Sequence, residues 1–189
     1  NARLLAVFPE GFALDETHRP HVTMLQCFVR TADLDELYAA EEKVLDAANV
    51  EAMKLEAFKF YYLPTGGALG LAGICAKPSP QLLALQASLI STAKPFMLET
   101  GPIGAFTAPH EDPAIDTAMI DYVSAFEAKG AGANFNPHVT TGCAPKEYLD
   151  GMLTEPFEAF TFSPAGAAVY QLGPFGTAAK KLKEWDLKR

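Results

Sequence analysis

The sequence Pro-His-Val-Thr occurs twice in this chain, at residues 20–23 and 137–140. The chain has four histidines, and two of them, His21 and His138, occupy these repeats 117 positions apart. In a β-strand, residues i and i+2 project from the same face, so each repeat presents an imidazole beside a threonine hydroxyl. Two such pairs meeting across a cleft would supply a general acid, a general base and two hydrogen-bond donors.

This set of side chains is suited to hydrolysis of a phosphodiester. The reaction requires an attacking water, a protonated leaving oxygen and stabilisation of the equatorial oxygens. Histidine can transfer protons in either direction near neutral pH, and Thr23 and Thr140 would donate to the non-bridging oxygens. The scheme requires no metal, and no carboxylate-histidine cluster has ligand spacing. We therefore expect neither a metal nor another cofactor.

Composition limits the classes of function. A chain of 189 residues suffices for one well-buried domain or two small lobes that share a core. The net charge of −8 argues against a surface that grips long nucleic acid by its phosphates, but permits a small nucleotide in a local site. No apolar run approaches a membrane span. Cys27, Cys75 and Cys143 show no paired spacing, so we expect three reduced thiols.

Hydrophobic periodicity and turn residues predict the elements around the repeats. Asp33 and Glu36 fit a capping box for a helix that runs to about residue 48. Ser79 followed by Pro80 fits the start of another helix. The predicted strands are 21–30, 50–63, 69–76, 138–143, 157–162 and 167–172, and the predicted helices are 33–48, 80–93, 114–130, 146–153 and a basic amphipathic one at 177–185.

Each half of the chain thus follows one order: a His-x-Thr strand, a helix, and two strands that look like a hairpin. This order predicts two duplicated β-sheet half-units that pack into one bilobal α+β domain with a cleft between the sheets. We expect residues 1–189 to form one bilobal domain.

The doubled motif resembles the 2H phosphoesterase superfamily, which includes the 2′-5′ RNA ligase and RNA 2′,3′-cyclic phosphodiesterase group. The resemblance covers both motifs and the element order between them. It implies a bilobal, pseudo-two-fold α+β fold with outer helices, in which the two motifs line a central cleft. It also implies metal-independent cleavage of 2′,3′-cyclic phosphates or related 2′-5′ and 3′-5′ linkages. By the same analogy, His21 serves the leaving oxygen as the acid and His138 serves the water as the base, with Thr23 and Thr140 binding substrate.

Two features depart from the family pattern. Relatives usually place a strand and a helix before the first motif, and twenty residues are too few for both. This departure predicts either an abbreviated first lobe or a chain that starts inside the domain. Some relatives also place an arginine shortly after the second motif, whereas the first basic residue here is Lys146. The phosphate charge would then be met elsewhere.

Further residues are weaker candidates for the site. Tyr61, Tyr62 and Tyr170 could stack a base, and we include Tyr62 and Tyr170 among the substrate-binding residues. His18 and His110 are more typical of solvated loops than of metal ligands. The stretch 173–177 precedes a predicted helix and could form an anion-binding N-terminus.

Three functions follow from these patterns. The first is a metal-independent cyclic phosphodiesterase; the second is a nucleotide-binding module that keeps the cleft without turnover; the third, an RNA-binding protein, fits the charge poorly. The expected partner is a small nucleotide or RNA end, with no long nucleic acid and no membrane. We expect a monomer that is cytoplasmic by default, or extracytoplasmic if an upstream signal peptide has been removed.

Overall fold

The protein has a mixed α+β fold, as the sequence predicts. The computed structural model describes residues 1–16, 18–65, 67–107, 113–173 and 176–185, with the backbone alone at 113–115. The helices are α1 (Ala2–Val7), α2 (Leu34–Ala48), α3 (Pro80–Ala93), α4 (Pro113–Ser124), α5 (Phe126–Gly130) and α6 (Lys146–Leu153). The strands are β1 (Phe28–Val29), β2 (Leu55–Pro64), β3 (Leu69–Ala76), β4 (Met97–Leu98), β5 (His138–Pro145), β6 (Phe160–Phe162), β7 (Ala167–Leu172) and β8 (Ala178–Trp185). No helix in the described part of the chain is long and apolar enough to cross a membrane.

The chain forms two compact units, and each is assembled from three separate segments. The first unit contains Asn1–Thr23, Lys54–Lys77 and Asn136–Phe162, and the second contains Met24–Met53, Pro78–Phe135 and Ser163–Arg189. Both His-x-Thr motifs therefore belong to the first unit. This division differs from the expectation that each half of the chain forms a lobe with its own motif.

The first unit is built on an antiparallel sheet with the strand order β5-β3-β2-β6. The predicted hairpin is confirmed, because β2 and β3 pair along their length. Helices α1 and α6 pack against this sheet. Their core contains Leu4, Leu149 and Met152 together with Ala72 and Ala144 of the sheet.

Close packing of α6 on the hairpin depends on a glycine. A Cβ atom at Gly70 would lie 2.8 Å from Cδ2 of Tyr62 and 2.9 Å from Cδ1 of Leu149, which is closer than real Cβ contacts come. Leu149 itself is fully buried. Helix α6 therefore packs its apolar side directly against the strands. Its bounds match the predicted helix at 146–153.

The second unit packs α2 against α3 around a core that includes Leu45, Leu89 and Trp185. The start of α3 is as predicted: the Ser79 hydroxyl accepts a hydrogen bond from the Leu82 backbone N–H at 3.2 Å, and Pro80 occupies the first helical position. The predicted capping box at Asp33 is not formed.

At the start of α2, the Asp33 side chain makes no capping bond and instead lies 3.5 Å from the Arg30 guanidinium. The ion pair with a residue on its N-terminal side takes the carboxylate away from the backbone N–H groups at the start of α2. The predicted helix at 114–130 is also divided, because α4 ends at Ser124 and α5 starts at Phe126.

The predicted C-terminal helix at 177–185 is wrong, because residues 178–185 form β8 and pair with β7. Ala, Lys, Leu and Glu favour helix, but propensity is a weak prior that tertiary pairing overrides. Gly176, at φ 72°, supplies the left-handed turn before the strand. Trp185 at its end is buried and meets Tyr38 edge-on at 6.2 Å between ring centroids. The stretch 173–177 therefore precedes β8 and not the predicted helix, and residues 174–175 lie outside the described part.

Three other strand predictions are corrected in extent or partner. Residues 21–30 form no continuous strand: Val22 makes an isolated bridge, and β1 covers two residues. Residues 50–52 form a 3₁₀ turn before β2. The predicted second hairpin does not form, because β6 pairs with β2 while β7 pairs with β8.

Glu41 makes the stability of the second unit dependent on pH. It lies between Leu37 and Leu45 on the buried stripe of α2, and burial raises the pKa of its carboxyl to about 7. The folded state therefore holds a proton that the unfolded chain releases at lower pH, so stability falls as pH rises from about 4.5 through about 7.

We expect the free energy of unfolding to drop by about 1–2 kcal/mol between pH 5 and pH 8 on account of this group, allowing for residual solvent contact. Urea unfolding at several pH values checks this, with Glu41→Gln as the matched variant. The difference between native and variant should grow with pH, and a difference that stays constant would contradict the assignment.

Candidate functional site

The second motif lies at the beginning of β5, where the sequence predicts it. His138 and Thr140 are two residues apart on this strand, and β5 pairs with β3 through His138↔Cys75 and Thr140↔Gly73. Pro137 cannot donate to the ladder, but its carbonyl accepts a hydrogen bond from the Ala76 N–H at 2.8 Å. The two side chains therefore project from one face of the sheet.

The first motif is placed directly beside the second. Val22 and Val139 form an antiparallel bridge on the side of β5 that β3 leaves open. Because antiparallel partners run in opposite directions, His21 lies opposite Thr140, and Thr23 lies opposite His138. We call this set of four side chains the motif rectangle.

All four side chains of the motif rectangle share one face, since the flanking positions alternate with the two bridged valines. Directly opposite residues have Cβ atoms about 5 Å apart, and the histidines on one diagonal are about 7–8 Å apart. An antiparallel bridge has a local two-fold axis. Each histidine therefore has one threonine opposite it across the bridge and another two residues away on its own strand. The two identical repeats therefore occupy equivalent positions on either side of this two-fold axis.

Both imidazole rings are held in the same way. Nδ1 of His21 lies 2.8 Å from the Arg19 carbonyl oxygen, and Nδ1 of His138 lies 2.7 Å from the Asn136 carbonyl oxygen. A carbonyl oxygen only accepts, so Nδ1 carries the hydrogen in each ring. Nε2 is then left to accept a proton in the neutral ring or to donate one in the imidazolium.

The hydroxyls of Thr23 and Thr140 are available to a ligand. Both residues are partly exposed, and neither hydroxyl has a hydrogen-bond partner among the described residues. His21 is exposed and His138 is partly exposed. The four polar groups therefore meet solvent on one face, with donors and proton-transfer groups at alternate corners.

Tyr61 extends the same face across the sheet. It pairs with Gly73, which in turn pairs with Thr140. Its ring centroid lies 5.0 Å from that of His138, with the planes tilted by 46°. The two rings meet over β3, where Gly73, the partner of Tyr61, has no side chain. Sequence reasoning did not identify this role of Gly73, since only the strand register reveals it.

The structure does not bring Tyr62 to the motif rectangle. Tyr62 follows Tyr61 on β2, so it points to the opposite face, where it packs with Leu149 beneath α6. Its hydroxyl donates to Oδ1 of Asp150 at 2.6 Å, and this hydrogen bond, together with burial, raises the pKa of the phenol. Tyr170 belongs to β7 of the second unit and pairs with Lys181.

His18 and the three cysteines are not members of the motif rectangle. His18 stacks on Phe12 with ring centroids 4.8 Å apart and lies 3.5 Å from Asp15, while His110 lies outside the described residues. All three cysteines are free. Within the described ranges, no group of three or more His, Cys, Asp and Glu side chains is placed to hold a metal ion.

Cys75 supports the second motif from the neighbouring strand. It is fully buried, and its thiol donates to Oδ1 of Asn136 at 3.4 Å. Burial raises the pKa of this thiol. Asn136 is the residue whose carbonyl holds His138, so this hydrogen bond helps to fix the segment that orients the imidazole.

Comparison with known proteins adds no family assignment. A scan of the sequence against protein-family models gives no match, and a search of curated proteins gives no significant match. The functional argument therefore rests on the residues and their geometry.

Proposed function

We propose that this protein is a metal-independent phosphodiesterase of the 2H type, acting on a 2′,3′-cyclic nucleotide, an RNA end or a 2′-5′ linkage. The observation that carries the proposal is the bridge between Val22 and Val139. It gathers two histidines and two threonines, distant in sequence, on one face with alternating positions.

The motif rectangle suggests a proton-transfer sequence. Nε2 of His138 takes a proton from water as the water oxygen attacks phosphorus. The bond from phosphorus to the leaving oxygen breaks, and Nε2 of His21 gives its proton to that oxygen. The assignment of acid and base follows the family resemblance, and the local two-fold axis would allow the reverse.

The environment of each group suits its role in this scheme. The carbonyls of Arg19 and Asn136 accept from Nδ1, which orients each ring and leaves Nε2 as the atom that exchanges a proton. Thr23 and Thr140 donate to the non-bridging oxygens, where charge develops in the transition state. A phosphoryl group above the bridged valines would have one imidazole on either side.

The duplicated architecture of the 2H fold belongs to the same proposal. In chain order, the first motif precedes α2 and the β2–β3 hairpin, and the second precedes α6, β6 and β7. The matched Nδ1 hydrogen bonds and the two-fold relation of the motifs support a pseudo-symmetric origin. A central cleft would follow from this symmetry.

Tyr61 is the best-placed aromatic residue for a nucleotide base. Its ring contacts His138 and lies on the motif face, and aromatic faces stack bases without sequence preference. Tyr62 is not favoured for this role, since it faces α6 on the opposite side of the sheet. Tyr170, on β7 of the second unit, stays a prediction.

One observation favours a second candidate, a nucleotide-binding module without turnover. After the second motif, no basic residue appears until Lys146, at the first position of α6. A phosphate at the motif rectangle would then be bound mainly by neutral donors and histidines, an arrangement that can bind a nucleotide without hydrolysing it.

Hydrolysis of the four 2′,3′-cyclic nucleotides with EDTA present tests the proposal. We expect turnover of at least one of them and a single phosphomonoester product that fixes the bond cleaved. Calorimetric binding without turnover would favour the binding module. If the protein shows no turnover and no binding of these nucleotides, the proposal of a nucleotide substrate for this site is contradicted.

A further inference from the structure

The motif face continues beyond Tyr61 to a lysine. His138 pairs with Cys75 across β5 and β3, and Cys75 pairs with Lys59 across β3 and β2. Paired residues of neighbouring strands point to the same face. Lys59 therefore stands on the motif face, two strands beyond His138, at about 10 Å between Cα atoms.

The Lys59 ammonium contacts an aromatic ring. It lies 5.3 Å from the centroid of the Phe58 ring, in a cation–π contact. Phe58 is the residue at which the β2–β3 register shifts. The charge of Lys59 also lowers the pKa of the Cys75 thiol, against the larger rise that burial causes. The register pair Lys59↔Cys75 puts the lysine directly beside β3, on the face that His138 shares.

Unlike Arg3 and Lys77 of the same unit, Lys59 has no carboxylate partner within the described ranges. Arg3 pairs with Glu155 at 2.7 Å, and Lys77 pairs with Glu56 at 2.6 Å. Among the described residues, no carboxylate lies within ion-pair distance of Lys59. Its charge is therefore uncompensated beside a site that lacks a basic residue after its second motif.

The spacing indicates which part of a substrate Lys59 would meet. The centre of the motif rectangle lies about 12 Å from the Lys59 Cα, and a lysine side chain spans about half that distance, so the ammonium falls short of the scissile phosphoryl oxygens. The Lys59 ammonium comes within range of an anionic group that neighbours the scissile phosphate along the substrate. Between the two lie Gly73, which leaves room, and Tyr61, which offers a ring.

We propose that Lys59 binds a second phosphate of the substrate, beyond the one that is cleaved. This inference rests on the proposed function and refines it: the preferred substrate is a phosphodiester nucleotide with a further phosphate. That phosphate can be a 5′-phosphate of a mononucleotide or the next phosphodiester of an RNA end. The substrate crosses β3 from the motif rectangle toward β2, with its base at Tyr61.

The test compares kcat/KM for 2′,3′-cyclic AMP with and without a 5′-phosphate, and for a dinucleotide that ends in a 2′,3′-cyclic phosphate. Native protein should prefer a substrate with the extra phosphate by about 5–20-fold at low salt, and the preference should shrink as salt is added. The substrate with the larger gain in kcat/KM shows whether Lys59 binds a 5′-phosphate of a mononucleotide or the next phosphodiester of an RNA end.

Lys59→Met keeps the length of the side chain and removes its charge. It should abolish the preference while leaving kcat/KM on unphosphorylated 2′,3′-cyclic AMP within about twofold of native, because Lys59 lies beyond the scissile phosphate. Lys77→Met, which removes a cation already paired with Glu56, should retain the preference.

Three results would overturn the inference: no preference in the native protein, a preference that survives in Lys59→Met, or an equal loss on all substrates in that variant. If native protein turns over none of these nucleotides, the proposed function fails, and the same comparison is made with dissociation constants. Tighter binding of the phosphorylated nucleotide by native protein but not by Lys59→Met would then still support the role of Lys59, and equal binding would refute it.

Discussion

Replacing either motif histidine by alanine should lower kcat for a 2′,3′-cyclic nucleotide by about 10²–10⁴-fold, the usual contribution of a positioned general acid or base. The two rings have matching Nδ1 hydrogen bonds to backbone carbonyls and lie on one diagonal of the motif rectangle. Steady-state rates of His21→Ala and His138→Ala measure this. The double variant should be scarcely slower than the slower single variant, because groups that act as a unit are not additive.

His18→Ala is the matched control for this prediction. It removes a histidine of the same unit whose ring stacks on Phe12 instead of joining the motif rectangle. We expect its rate to stay within about twofold of native, as for a side chain outside the site. A rate in His21→Ala or His138→Ala as high as that of His18→Ala would contradict the two-histidine scheme, provided urea unfolding shows that the variants are folded.

Removing a motif threonine hydroxyl should lower kcat by about 10²-fold with a smaller change in KM, since a donor to developing charge acts mainly in the transition state. Thr23→Val and Thr140→Val preserve the shape and the β-branching of the side chain. The local two-fold relation of the motifs predicts losses of similar size at the two positions.

Thr23→Ser and Thr140→Ser keep the hydroxyl and should retain most of the activity. Thr141→Val alters the next residue along β5, where the register shifts, and serves as a position control. Serine variants as impaired as the valine variants would show that the threonines contribute packing instead of hydrogen bonds, and this part of the mechanism would fail.

The sequence alone was enough to predict the local elements that carry the second motif. β-branched residues follow His138, and the amphipathic pattern of α6 comes immediately after, so both elements formed where expected. The Ser79-Pro80 start of α3 was equally predictable, because a cap and a proline at the first helical position act within a few residues.

Long-range pairing was not predictable from the same patterns. Alternation on β2 implies that adjacent tyrosines face opposite sides, but only the register with Gly73 decides that Tyr61 faces His138 and Tyr62 faces α6. Residues 178–185 have helical composition and become a strand because β7 offers a partner.

The bridge of Val22 to Val139 likewise joins segments that no local rule connects. The repeat itself was the usable signal, because two identical motifs predict a shared site without specifying its geometry. No sequence motif indicates a role for Lys59, because a lysine on a strand can be related to a site only when its neighbours across the sheet are known.

The most direct test of the central claim is the dependence of kcat/KM on pH for native protein and for the two histidine variants. One histidine must be neutral and the other protonated, so native protein should give a bell-shaped profile. Removal of the base should abolish the acidic limb, and removal of the acid should abolish the alkaline limb. This result would also assign the two roles. Both limbs persisting in His21→Ala and in His138→Ala would contradict the claim that these two side chains carry the proton transfers.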